Sequence, residues 1–127
     1  MNGKRLLIID DEAEIGAIIG QVAEGCGFDY ESTTSAEAFK AAYATFQPSA
    51  IMMDLAVPNI DGIELFRWLA EERCATPILI VSGFGSRILE AAQRLGKARG
   101  LIMSGIISKP MRLADIRASL NMLPEVR

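Results

Sequence analysis

The chain contains no histidine among its 127 residues, so it can serve neither as a phosphohistidine donor nor through a histidine base. It has no apolar stretch near the roughly 20 residues of a membrane-spanning helix, although half of its residues are hydrophobic. It has only two cysteines, Cys26 and Cys74, in unrelated helical contexts. That usage reads as reduced thiols in a cytoplasmic protein rather than a disulfide framework. No repeat, linker or low-complexity segment interrupts it. There is no excess of basic residues: the net charge is −3, which argues against nucleic-acid binding by this domain. Met1-Asn2-Gly3-Lys4-Arg5 leads directly into an apolar run, so no signal peptide is expected. A chain of this length buries roughly two-thirds of its unfolded surface, enough for one core without disulfide or metal support.

What is present is a set of short apolar runs, each followed by reactive chemistry. Leu6-Leu7-Ile8-Ile9 precedes Asp10-Asp11-Glu12, and Ile51-Met52-Met53 precedes Asp54. Ile78-Leu79-Ile80-Val81 precedes Ser82, and Ile106-Ile107-Ser108 precedes Lys109-Pro110. Runs of this length read as strands buried on both faces of a parallel sheet. Strand and helix signals alternate five times, the pattern of βα units. Because parallel strands all end at one edge, the topology predicts that three carboxylates, a hydroxyl and an ammonium meet in one crevice.

The expected strands are about Arg5–Ile9, Phe28–Ser32 at a sheet edge, Ala50–Met53, Ile78–Val81 and Leu101–Ile107. The first helix, about Glu12–Cys26, has Ile15, Ile18, Ile19 and Val22 on one face. Its Gly16 and Gly20 suggest close packing on the sheet, and Gly27 a left-handed cap. The second opens with a capping box from Thr34 to Glu37 and buries Phe39, Ala42, Tyr43 and Phe46. The third starts at Asp61 and buries Leu65, Phe66 and Leu69, with Trp68 beside that face. The fourth, about Arg87–Ala98, is capped by Ser86 and stopped by Gly100, and the fifth covers about Leu113–Leu123.

Taken singly, most of these polar residues have a bland explanation. Asp10 or Asp11 would suit a helix N-terminus, Ser82 a turn, and Lys109 a solvated surface. Asp54 resists one, because Pro58 and Asp61-Gly62 place the next helix start further on. Jointly, Asp10-Asp11, Asp54 in "MMDLAVPNIDG", Ser82-Gly83 and Lys109-Pro110 resemble the receiver domain of two-component response regulators, from about Lys4 to Leu123. The resemblance implies a flavodoxin-like α/β fold, a doubly wound (βα)5 sandwich with strand order 2-1-3-4-5. It implies that Asp54 is the phosphoacceptor. Asp11, Asp54 and the backbone carbonyl of Ala56 would hold Mg²⁺ or Mn²⁺ directly, and Asp10 partly through water; these hard cations prefer oxygen ligands. Without the cation, the three carboxylates should raise one another's pKa. Lys109 and Ser82 would contact phosphoryl oxygens, and Gly83 would leave room for the group. Pro110 invites a cis peptide after Lys109.

The implied partners are a sensor histidine kinase or phosphotransfer protein and a downstream output domain or protein, with a homodimer left open and no membrane or nucleic acid. The chain is read as a single receiver domain, 1–127, standing alone or as the N-terminal part of a longer protein, and not as an enzyme. Two alternatives stand beside it: a degenerate receiver serving as an interaction module, and a haloacid-dehalogenase-like phosphatase. The latter places its nucleophile in a D-x-D pattern after the first strand, where this chain has adjacent Asp10-Asp11. A flavodoxin would need a hydroxyl-rich phosphate loop after that strand, which is missing.

The chain also departs from the receiver pattern. The fifth-strand position that is usually aromatic is Ile106, so a Ser82–Ile106 pair cannot signal through a ring flip, and Phe84 is no obvious substitute. The Ser82–Lys109 interval is longer than usual, with the extra length near Leu95–Ser104. The text of this segment is more faintly similar to receivers joined to EAL-type cyclic-dinucleotide phosphodiesterase domains. The expected moving part is therefore the loop after Ser82 with the fourth helix, eased by Gly83, Gly85, Gly96 and Gly100.

Overall fold

The structure is a computed structural model and describes residues 3–55, 62–83 and 85–123, with the side chains of Gly62, Ile63 and Ser86 excepted. Five strands alternate with five helices: β1 Arg5–Ile9, α1 Ala13–Gly25, β2 Asp29–Thr33, α2 Ala36–Phe46, β3 Ala50–Asp54, α3 Gly62–Glu71, β4 Ile78–Ser82, α4 Ser86–Ala98, β5 Met103–Ser108 and α5 Leu113–Asn121. All strand pairs are parallel, in the order β2-β1-β3-β4-β5.

Period-two alternation sends neighbouring residues of each strand to opposite faces. Leu7, Ile9, Ile51, Met53, Ile78 and Ile80 pack with Phe39 of α2, Leu65, Phe66 and Leu69 of α3, and Leu89 of α4. Leu6, Ile8, Met52, Leu79 and Val81 pack with Ile19 and Ala23 of α1 and Ile116 and Leu120 of α5. Both faces are thus covered by helices, which is why the central strands β1, β3 and β4 are continuous apolar runs from Leu6 to Ile9, Ala50 to Met53 and Ile78 to Val81, whereas the edge strand β2 is largely polar.

Gly16 and Gly20 bring α1 close to the edge strand. A Cβ at Gly16 would collide with the Ser32 hydroxyl, and one at Gly20 with the Tyr30 ring. Gly27 adopts φ +87°, the left-handed turn that ends the α1 segment. Trp68 lies against Tyr43 and Phe39 in edge-on contacts.

Several local expectations are corrected. Ile18 is 43% exposed, because the buried stripe of α1 runs through Gly16, Ile19, Gly20 and Ala23. The α2 cap is Ser35, whose hydroxyl accepts from the Ala38 amide; Thr34 lies outside the helix and Glu37 is not in a capping box. Ser86 is the first residue of α4, whose cap is Gly85, with no side-chain bond at that end. The start of α3 at Asp61 lies outside the described residues. The strand expected from Leu101 begins at Met103. Residues 95–104 resolve into the last turn of α4, a left-handed Gly100 at φ +84°, and a register shift in which Ile78 faces Met103 and Leu79 faces Gly105. Ser104 is the additional residue, a β-bulge on the edge strand. Gly96 is a packing glycine, since a Cβ there would run into the Met103 thioether.

Candidate functional site

Asp10 follows β1, while Asp54 and Ser82 are the last residues of β3 and β4. Among the described residues, the buried polar ones are these three and Thr33. Thr33, at the end of β2, supports the same edge: its hydroxyl donates to the Ile8 carbonyl at 2.7 Å and its carbonyl accepts the Asp10 amide at 3.0 Å. On the other side, the Lys109 amide donates to the Ser82 carbonyl at 2.9 Å, tying the end of β5 to β4. The Lys109–Pro110 peptide is cis.

The Lys109 ammonium bridges the two buried acids. Nζ donates to Asp54 Oδ2 at 2.8 Å and to Asp10 Oδ2 at 3.1 Å. The Asp10 and Asp54 side chains are 1% and 2% exposed, and that of Lys109 is 21% exposed. Asp10 Oδ1 accepts the Glu12 amide at 2.9 Å, closing a turn at the start of α1. Glu12 Oε2 lies 4.0 Å from the same lysine nitrogen. Asp11 is exposed at the rim, yet one oxygen of each of Asp10, Asp11 and Asp54 falls within 4.8 Å of the others.

Burial raises the Asp10 pKa above the ordinary 3.8. The Glu12 amide and the Lys109 ammonium work against that rise, and the charge of Asp54 adds to it. Mutual repulsion is therefore a smaller cause than the sequence suggests. Burial opposes the Lys109 charge, but its hydrogen bonds to Asp54 and Asp10 outweigh that and hold its pKa above 10.5.

The arrangement suits a small, hard cation. Three carboxylates supply oxygen donors at one point, and the Lys109 ammonium balances part of their charge. Ala56 and Phe84 lie outside the described residues. Gly83 is exposed, and a Cβ there would meet nothing. Ile106 is half-buried, faces Ile80 in the register and packs against the core under α2, α3 and α4. Pro110 follows β5 at the surface. The sequence reading overlooked two residues: Thr33, a strand-end hydroxyl like Ser82, and the side chain of Glu12, which was visible only as the third acid of a run.

The order of strands and the acid-lysine cluster at their C-terminal edge define a doubly wound α/β domain with a compact acidic site, and comparison with known proteins gives its family. Residues 6–121 match the family model described as response regulator receiver domain, and the chain belongs to that family. It is 32% identical over 123 residues to the phosphate regulon transcriptional regulatory protein PhoB of Pseudomonas aeruginosa, covering 95% of this chain and 52% of that protein. It is 26% identical over 124 residues to the transcriptional regulatory protein GltR of the same organism, covering 96% of this chain and 49% of that protein. The chain thus spans about half of these relatives, and less of others, such as 33% of an alkaline phosphatase synthesis regulator of Bacillus subtilis. A response regulator structure from Colwellia psychrerythraea superposes with TM-score 0.77 at 27% identity, covering 93% of this chain and 94% of the other. A Vibrio cholerae chemotaxis protein gives TM-score 0.81 at 20% identity, covering 95% and 98%, a likeness of fold. Among the described residues, no helix is long and apolar enough to cross a membrane.

Proposed function

We propose that this receiver accepts a phosphoryl group on Asp54 from a sensor histidine kinase or phosphotransfer protein and conveys the change to an output domain or protein. The observation that carries this reading is the placement of the Asp54 carboxylate, at the end of β3, bonded to Lys109 and close to Asp10 and Asp11. An Asp54 oxygen attacks phosphorus; the O–P bond forms as the donor's N–P bond breaks, and the electron pair leaves on the donor nitrogen, which takes a proton from solvent. Lys109 exchanges a carboxylate partner for a phosphoryl oxygen, keeping its positive charge where negative charge arrives. Ser82 donates a hydrogen bond to a second oxygen, and the open space at Gly83 accommodates the group. Asp10, Asp11 and Asp54, with the carbonyl of Ala56, would hold Mg²⁺ or Mn²⁺, which supplies charge neutralisation for the phosphoryl group.

Receivers as a family are not conventional enzymes, and the chemistry of this site is the gain and loss of one phosphoryl group. The family match lends the dehalogenase-like alternative no support. The intact acidic cluster and its lysine also speak against a degenerate module. The test is incubation with a small amidophosphate or acyl phosphate and Mg²⁺, read by intact mass. Wild type gains one phosphoryl group; chelation of the metal or Asp54→Asn abolishes the gain. Undiminished labelling of Asp54→Asn overturns the assignment.

A further inference from the structure

Glu12 presents a feature that phosphoryl acceptance does not require. Its backbone amide is fixed by the bond to Asp10 Oδ1, so its Cα is held at the mouth of the site. Its side chain makes no capping bond to α1, is 63% exposed, and places Oε2 4.0 Å from Lys109 Nζ. The carboxylate is thus a movable charge on a fixed base, adjacent to the cation that already binds Asp10 and Asp54. The geometry points to Glu12 as a positioning residue that competes with the incoming phosphoryl group for Lys109 and thereby slows phosphorylation of Asp54. This rests on the reading of Asp54 as phosphoacceptor.

The physical basis is an exchange of partners. Lys109 must turn toward phosphoryl oxygens when Asp54 is modified, leaving at least one carboxylate. Each carboxylate in reach shares in holding it back. Asp10 and Asp54 are buried and fixed, whereas Glu12 can follow the ammonium as it moves outward. A partly exposed ion pair of this kind alters a rate by about two- to fivefold.

Glu12→Gln keeps the shape and removes the charge, so phosphorylation by a small amidophosphate in Mg²⁺ should accelerate by about two- to fivefold. Glu12→Asp keeps the charge but is one methylene too short to reach Lys109, and an aspartate there can instead cap α1. If contact with Lys109 is what matters, Glu12→Asp accelerates as Glu12→Gln does. If Glu12→Asp matches wild type while Glu12→Gln is faster, only bulk repulsion of the donor operates and the positioning role is overturned. Equal rates in all three proteins overturn it as well, while adduct formation on Asp54 in each leaves the phosphoacceptor reading standing. A second readout needs no phosphoryl transfer: the ¹⁵N–¹H signal of the Lys109 ammonium in metal-free protein should shift in both variants. An unshifted signal overturns the contact.

Discussion

Replacing Lys109 with methionine isolates the electrostatic balance of the site. The methionine retains much of the apolar stem, so the main change is the loss of one ammonium between two carboxylates that are 1% and 2% exposed. Removing one partner of a buried pair costs about 3–5 kcal/mol, because the remaining charge stays desolvated. Here Lys109 is itself 21% exposed, and the Asp10 carboxyl, with its raised pKa, can take up a proton, so the expected loss in metal-free protein near neutral pH is about 2–4 kcal/mol. For a domain of this size that corresponds to a melting temperature lower by roughly 8–15 °C. The sign follows from the raised Lys109 pKa: its contribution is fully present below 10.5 and is lost only as pH rises through its higher folded value. Near neutral pH the whole contribution is therefore at stake. Urea unfolding of both proteins, without metal and with saturating Mg²⁺, measures it. The deficit should shrink to about 1 kcal/mol or less with the cation, which replaces the missing positive charge. A deficit below about 1 kcal/mol that ignores Mg²⁺ would refute the view that Lys109 neutralises this site.

Other expectations follow from the same geometry. Mg²⁺ should raise the melting temperature of the wild type, since only the folded chain gathers the carboxylates, and the rise should largely vanish in Asp11→Ala; equal shifts in both proteins would count against ligation by Asp11. The raised Asp10 pKa means that metal-free stability declines as pH climbs from 3.8 through the folded value of Asp10. Asp10→Asn should flatten that decline in a pH series of urea titrations, and an unchanged slope would remove Asp10 as its source. With a stable phosphoryl mimic and Mg²⁺, hydrogen exchange should change across α4 and its junctions with β4 and β5. Changes confined to the loops at Asp10, Asp54 and Lys109 would rule out a moving α4.

The legibility of the sequence differed by level, for physical reasons. Strands buried on both faces must be continuous apolar runs, so β1, β3 and β4 could be read to within a residue or so, and their parallel ends implied the meeting of Asp10, Asp54 and Ser82. Helix ends were less secure: Thr34 and Ser35 are both good caps, and only backbone geometry selects Ser35. Ile18 fits a helical stripe on paper, but the tight approach of Gly16 and Gly20 to Ser32 and Tyr30 rotates it outward. The bulge at Ser104 depends on pairing with β4, which no local pattern records. Likewise, the bond of Lys109 to Asp10 and the reach of Glu12 to Lys109 join segments about a hundred positions apart. A Cβ at Gly83 or Gly85 would meet nothing, whereas Gly96 is committed to packing against Met103.

The central claim, that Asp54 itself carries the phosphoryl group, is tested most directly by trapping the bond. After incubation with a small phosphoryl donor and Mg²⁺, borohydride reduces an aspartyl phosphate to homoserine, and peptide mass mapping locates it. The account predicts homoserine at position 54 alone, dependent on both donor and metal. Homoserine at another acidic position, or a phosphoryl adduct that borohydride leaves intact on a hydroxyl side chain, would contradict it.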